Sequence, residues 1–302
     1  MSLRWLARLA IILGALLLLW GAAALVRRQE TRPGAEERFT LPALGRAEAD
    51  TLWIARPGDT TLLVRRDSTS WTVNGQPASE SAVADLFAAL ADTGRPTELV
   101  GQRRASHPGF GVDSTGARVR LVGPGKVAAE LILGHRTPDF SGGYFRRADD
   151  SLTYLVGGRL AELLAKSPDD WRDRRIARVA ADSVTLVEAA RGARSYTLRK
   201  RDGGWRIGDR PADSAAVAEL LGAYREVEAS GFAGAADTAN FARPDRRIRL
   251  LAGDRPLLAL ELDSTTGGFW VRKDGGESIY RIESWTANRL VPADTAFRPR
   301  PK

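Results

Sequence analysis

Residues 71–90 read WTVNGQPASESAVADLFAAL, and residues 205–224 read WRIGDRPADSAAVAELLGAY. The two windows, 134 positions apart, align without a gap and share eight identities. Trp71 matches Trp205, Pro77 matches Pro211 and Ala78 matches Ala212. Val83, Leu86, Phe87 and Leu90 follow the i, i+3, i+4, i+7 spacing of one apolar helix stripe, and Val217, Leu220, Leu221 and Tyr224 repeat it. Ser79 and Asp213 stand just ahead of the stripes, where a short side-chain oxygen takes up free backbone N–H groups as an N-cap.

The echo extends on both sides. Before each Trp lies a β-rich run, TLWIARPGDTTLLVRRDSTSW and SVTLVEAARGARSYTLRKRDGGW, each reading as two strands joined by a polar turn. Further on, ARVRLVGPGKVAAELIL parallels RRIRLLAGDRPLLALEL as a hairpin turning at Gly-Pro-Gly or Gly-Asp. A second hairpin, GYFRRADDSLTYLV at 143–156, parallels GFWVRKDGGESIYRI at 268–282, and short helical segments around 157–166 and 284–291 close the units. The expected fold class is therefore α+β: a tandem duplication of a strand-strand-helix-strands-helix unit with largely antiparallel sheets. The copies are expected at 50–176 and 177–298, meeting in WRDRRIARVAADS at 171–183, which reads as a linker or as a packed crossover. Trp71 and Trp205 each read as packing a helix on a sheet; a stacking platform for a sugar ring is the alternative for the same residue.

The N-terminus carries a different signal. Leu9 to Val26 is an uncharged apolar run of 18 residues between Arg4 and Arg8 on one side and Arg27 and Arg28 on the other. At about 1.5 Å per residue it just spans a hydrocarbon core of roughly 30 Å. A cleavable signal peptide is the rival, with GAAA at 21–24 as its small-residue site, but such apolar regions usually run about 7–15 residues. Length and flanking charge favour an uncleaved transmembrane helix at 9–26 after a cytoplasmic N-terminus at 1–8, with 27–49 as a tether. One span followed by one large globular region is the usual form of an exported, tethered domain. That places the protein as single-pass in the inner (cytoplasmic) membrane, with the C-terminal domains extracytoplasmic.

Composition narrows the chemistry. The chain has 302 residues, 43% hydrophobic and 27% charged, which is ample for two folded domains. No cysteine is present, which removes disulfides, thiolate metal sites, cysteine nucleophiles and lipidation of a cysteine. The net charge of +8 invites a nucleic-acid reading, but the arginines are scattered in short pairs without an interleaved aromatic motif, so no nucleic-acid partner is expected.

A search for catalytic groups yields little. His107 precedes Pro108 in a Gly-rich loop and His135 follows Gly134; with no second ligand at metal spacing, both read as solvated turn residues. Asp149-Asp150 and Asp169-Asp170 could serve as paired carboxylates, but each sits beside arginines (Arg146-Arg147 and Arg172) and reads as solvated or ion-paired. VGPGKVA at 122–128 lacks phosphate-loop spacing and joins two strands, so it reads as a hairpin turn. No catalytic residue, metal ligand or cofactor is expected, and binding residues are left unassigned.

The order of these segments resembles the bacterial family known as domain of unknown function 4340. The resemblance rests on the apolar N-terminus, W…PASESAVADLFAAL, FGVD at 110–113 leading into ARVRL, LILGHRTPDFSGGYFRRADDSLTYLV at 131–156 and WRDRRI at 171–176. The second copy departs from the pattern, with NFARPDRR at 240–247 in place of FGVD. The resemblance implies an envelope protein, often encoded beside ABC-transporter permease and ATPase subunits and in some members auxiliary to gliding-motility-type transport; it carries over no activity and no binding residue. The expectation is a membrane-anchored accessory or binding protein without catalysis of its own. An envelope hydrolase or transferase acting on glycan through carboxylates is the alternative.

Overall fold

The structure is a computed structural model and describes residues 39–41, 45–234, 237 and 239–299. The chain divides into two compact units, Met1–Leu41 and Pro42–Lys302, and the fold below is that of the second. The expected anchor at 9–26 and residues 1–8 lie outside the described residues, as does most of the tether. Among the described residues no helix is long and apolar enough to cross a membrane. Residues 45–49 already belong to the folded unit: Ala49 is fully buried and Arg46 donates to the Thr69 carbonyl.

Nine strands build the first sheet: β1 (Thr51–Arg56), β2 (Asp59–Arg65), β3 (Trp71–Val73), β4 (Gln76–Pro77), β5 (Thr97–Gly101), β6 (Ala117–Gly123), β7 (Lys126–Arg136), β8 (Gly142–Arg147) and β9 (Thr153–Gly157). Their order is β4-β3-β2-β1-β6-β7-β8-β9-β5. A two-stranded ribbon of β10 (Arg175–Ala177) with β15 (Val227–Glu228) follows at the junction. The second sheet contains β11 (Leu186–Arg191), β12 (Arg194–Arg201), β13 (Gly204–Ile207), β14 (Arg210–Pro211), β16 (Gly231–Phe232), β17 (Arg246–Ala252), β18 (Arg255–Thr265), β19 (Gly268–Lys273) and β20 (Ile279–Glu283). Its order, β14-β13-β12-β11-β17-β18-β19-β20-β16, matches the first strand for strand. Every neighbouring pair is antiparallel, and the two sheets are separate.

Among the described residues five α-helices accompany them: α1 (Glu80–Ala91), α2 (His107–Phe110), α3 (Leu160–Leu164), α4 (Ser214–Ala223) and α5 (Ser284–Leu290). Alternation sets the faces of each sheet. In β6, Ala117, Val119 and Leu121 turn to the core while Arg118 and Arg120 face outward. In α1 the apolar stripe Val83, Leu86, Phe87 and Leu90 is buried, and α4 buries Val217, Leu220 and Leu221. Each such side chain contributes about 2 kcal/mol on removal from water. The caps form as the spacing requires: Ser79 Oγ accepts from the Ala82 N–H at 3.3 Å, and Asp213 Oδ1 accepts from Ala215 and Ala216 at 2.9 and 3.2 Å. Trp71 is buried with its ring 5.4 Å from Phe87, and Trp205 is half-buried against the second core.

His107 departs from the solvated-turn reading, and His135 departs from it only in lying on a strand. His107 is buried at the start of α2, and its Nε2–H donates to the Ser151 carbonyl at 2.9 Å. His135 is exposed but lies within strand β7, its ring facing Gly111. Gly111 has φ 67°, and a Cβ there would sit 2.6 Å from that ring.

Candidate functional site

Two grooves occupy corresponding places in the two halves. The first, about 300 Å³, lies between the end of α1 and the start of α3, lined by Ala88, Ala89, Asp92, Gly157, Arg159 and Leu163 among others. The second, about 480 Å³, lies between the end of α4 and α5, lined by Gly222, Ala223, Glu226, Glu283, Trp285 and Arg289 among others. Sheet register fixes the correspondence. Gly142 pairs with Gly157 in the first sheet, and Gly268 pairs with Glu283 in the second. Counting on from that pair sets Arg159 against Trp285 and Leu163 against Arg289. The aligned helix windows set Ala88 against Gly222, Ala89 against Ala223 and Asp92 against Glu226.

The groove walls are held differently. In the first half Arg95 donates from Nη2 to the Leu90 carbonyl at 2.8 Å and from Nε to the Asp92 carbonyl at 2.6 Å, closing the C-terminus of α1. In the second half the Tyr224 hydroxyl, fully buried, donates to the Leu290 carbonyl at 2.6 Å and ties α4 to the end of α5. Burial raises its pKa well above the ordinary tyrosine value.

The chemistry of the grooves also diverges. Asp85 and Arg159 pair at 3.4 Å in the first. In the second, Trp285 is 61% exposed, with the Arg289 guanidinium 5.7 Å from its ring centroid. Glu226, Glu228 and Glu283 line this groove, and none of them forms an ion pair among the described residues.

A third depression, about 590 Å³, lies at the junction of the halves. Ser79 and Glu80 at the start of α1, Asp170, Arg172 and Arg174 in the connecting segment, and Glu226 and Glu228 line it. The connecting segment is a packed crossover. Trp171 is fully buried, and its carbonyl accepts from the Ser79 N–H at 2.7 Å. Asp173 N donates to the Pro77 carbonyl at 2.9 Å, and Ala229 N donates to the Arg174 carbonyl at 2.8 Å. Ser278 of the second half donates to Gln76 Oε1 of the first at 2.8 Å.

Of the acidic pairs singled out in the sequence, only Asp170 borders one of these depressions, the one at the junction. Asp149-Asp150 lies in the β8–β9 turn, wrapped round Arg146, whose Nη1 donates to the carbonyls of Arg147, Ala148 and Asp150 at 3.0, 3.0 and 3.2 Å. Asp169 pairs with Arg172 at 3.2 Å and Asp170 with Arg174 at 3.3 Å. Among the described residues five carboxyls have displaced pKa values, and all five are displaced downward: Asp67, Asp113, Asp139 (to about 2), Asp170 and Asp245. In each the largest cause is a Ser or Thr hydroxyl donating to the carboxylate, which favours the ionised form. Among the described residues no three His, Asp or Glu side chains converge as a metal site requires. VGPGKVA forms the β6–β7 hairpin, with Gly125 at φ 69°.

Trp285 and the paired grooves were not legible as a site in the sequence. The available signal was a tryptophan two residues past a strand, at the start of a short helix whose apolar positions are already accounted for.

A family model described as Domain of unknown function (DUF4340) matches residues 71–246, more than half of the chain. The match runs from β3 through the junction to the first residue of β17. The chain belongs to this family. No curated protein and no solved structure matches it.

Proposed function

We propose that this family member is a membrane-anchored, extracytoplasmic accessory or binding protein that works with an ABC-type transport system and catalyses nothing itself. The observation that carries the reading is the groove repeated at corresponding positions in both halves. A tandem duplication of one domain, 50–176 and 177–298, accounts for the matching strand orders and supplies two related binding surfaces. The apolar run at 9–26 serves as a single uncleaved anchor in the inner membrane, and the association with permease and ATPase subunits comes from the family resemblance. The competing reading, a glycan-acting hydrolase or transferase, needs one carboxyl held protonated near neutral pH. The carboxylates of one acidic pair are each engaged by an arginine, Asp169 by Arg172 and Asp170 by Arg174, which supports the binding reading.

The test is affinity purification of the full-length protein, through a C-terminal tag, from membranes solubilised in mild detergent. Stoichiometric recovery of an ABC permease and its ATPase is the expected result. Recovery of the protein alone, from membranes in which known complexes survive, would overturn the transport association and bring the glycan reading forward.

A further inference from the structure

We infer that the groove between α4 and α5 is a docking site for a Lys- or Arg-bearing segment of a partner protein. The inference rests on the binding reading above and names the surface and the partner chemistry.

Three observations converge. Trp285 leaves an indole 61% exposed at the rim of a groove of about 480 Å³. An exposed indole attracts a cation through its ring quadrupole, and Arg289, its guanidinium carbon 5.7 Å from the ring centroid, shows that attraction in this groove. Charge then selects the occupant. The charged side chains lining this groove are Glu226, Glu228 and Glu283 against Arg289, on a chain whose overall balance is +8. The corresponding groove of the first half is balanced, with Asp85 and Asp92 against Arg95 and Arg159, and the Asp85–Arg159 pair spans it at 3.4 Å. One copy of the groove is thus internally neutralised, while the other keeps an aromatic face and three carboxylates without ion-pair partners among the described residues. A Lys or Arg side chain fits both: its stem covers the indole and its head meets a carboxylate.

The experiment places the photo-crosslinker p-benzoylphenylalanine at Ser230, which lines this groove, and separately at Ala88 in the first groove, in the full-length protein in its native membrane. Cross-linked peptides are identified by mass spectrometry. The expected result is an adduct from Ser230 to a peptide rich in Lys or Arg, and none from Ala88. Trp285→Ala, or Glu226→Lys with Glu228→Lys, should lower its yield by about fivefold or more, as loss of a cation–π contact implies. These side chains are exposed, and thermal unfolding of each variant checks that the fold is kept. No adduct from Ser230, an adduct to an acidic or neutral peptide, equal adducts from both grooves, or a yield unmoved by the substitutions would overturn the inference. A basic adduct from a protein other than the permease or ATPase would leave it standing and defeat the transport association; co-purification of the transporter without the adduct would do the reverse.

Discussion

The Arg172 guanidinium carbon lies 3.5 Å from the centroid of the Phe232 ring, joining the segment that leaves the first sheet to an edge strand of the second. Arg172 also bridges to Ala78 through its backbone and pairs with Asp169 at 3.2 Å, so one residue touches both halves. Its side chain is only 15% exposed, which places the contact at the stronger end of the cation–π range. A double-mutant cycle with Arg172→Ala and Phe232→Ala should therefore return a coupling of about 1–2 kcal/mol by chemical denaturation. A coupling near zero would mean that this ring contact adds nothing to a junction held by its hydrogen bonds, among them Ser278 to Gln76.

Gly111 and Gly134 make a second, separable test. A Cβ at Gly111 meets the His135 ring at 2.6 Å, and φ 67° adds a backbone cost of about 1–2 kcal/mol for an L-residue. Removing the ring with His135→Ala should rescue part of the loss in Gly111→Ala and leave only that backbone component. At Gly134 the added Cβ would meet the Phe110 carbonyl at 2.1 Å, and backbone cannot step aside. Gly134→Ala should destabilise more than Gly111→Ala, and no side-chain truncation should rescue it. Equal losses at both positions, unaffected by His135→Ala, would contradict this account.

The two N-caps should rank by geometry. Asp213 satisfies two N–H groups at 2.9 and 3.2 Å, whereas Ser79 satisfies one at 3.3 Å. Asp213→Ala is expected to cost about 1–2 kcal/mol and Ser79→Ala about half of that. Urea denaturation of the two variants decides the order, and the reverse ranking would show that the Ser79 hydroxyl, which also lies 3.1 Å from Ser81 Oγ, contributes more than its single 3.3 Å cap bond implies.

What was legible in the sequence was local. The i, i+3, i+4, i+7 stripes marked α1 and α4 because their periodicity lies in twenty consecutive residues, and the caps and hairpin turns follow from near neighbours. The α+β class with antiparallel sheets followed from those hairpins. What was hidden depends on separation. His107 looked solvated in a Gly-rich loop, yet its acceptor, the Ser151 carbonyl, comes from 44 residues away. Asp85 and Arg159 of the first groove are 74 residues apart. Strand β5 shows little alternation and joins the sheet only through its edge pairing with β9, so nothing local announced it. The junction left two readings open because its packing depends on distant backbone, Ser79 N–H donating to the Trp171 carbonyl and the Pro77 carbonyl accepting from Asp173.

The alkaline limb of stability gives the last test. Burial pushes the Tyr196 and Tyr224 hydroxyls above the ordinary tyrosine value, and each donates to a carbonyl, Pro292 at 3.0 Å and Leu290 at 2.6 Å. In the unfolded chain both lose their proton near pH 10, while the folded protein keeps it. Above pH 10 the native state therefore binds more protons than the unfolded state, and stability falls as pH rises; below pH 10 the contribution is fully present. Each tyrosine adds a slope of up to about 1.4 kcal/mol per pH unit in that window. Tyr196→Phe with Tyr224→Phe should cost about 1–3 kcal/mol at pH 7 through the lost hydrogen bonds and make the fall above pH 10 shallower. Urea midpoints at pH 8, 9.5, 10.5 and 11 for the parent and the double variant separate the two effects. Parallel curves would show that these hydroxyls ionise in the folded protein as readily as in the unfolded chain, and that other groups drive the alkaline loss.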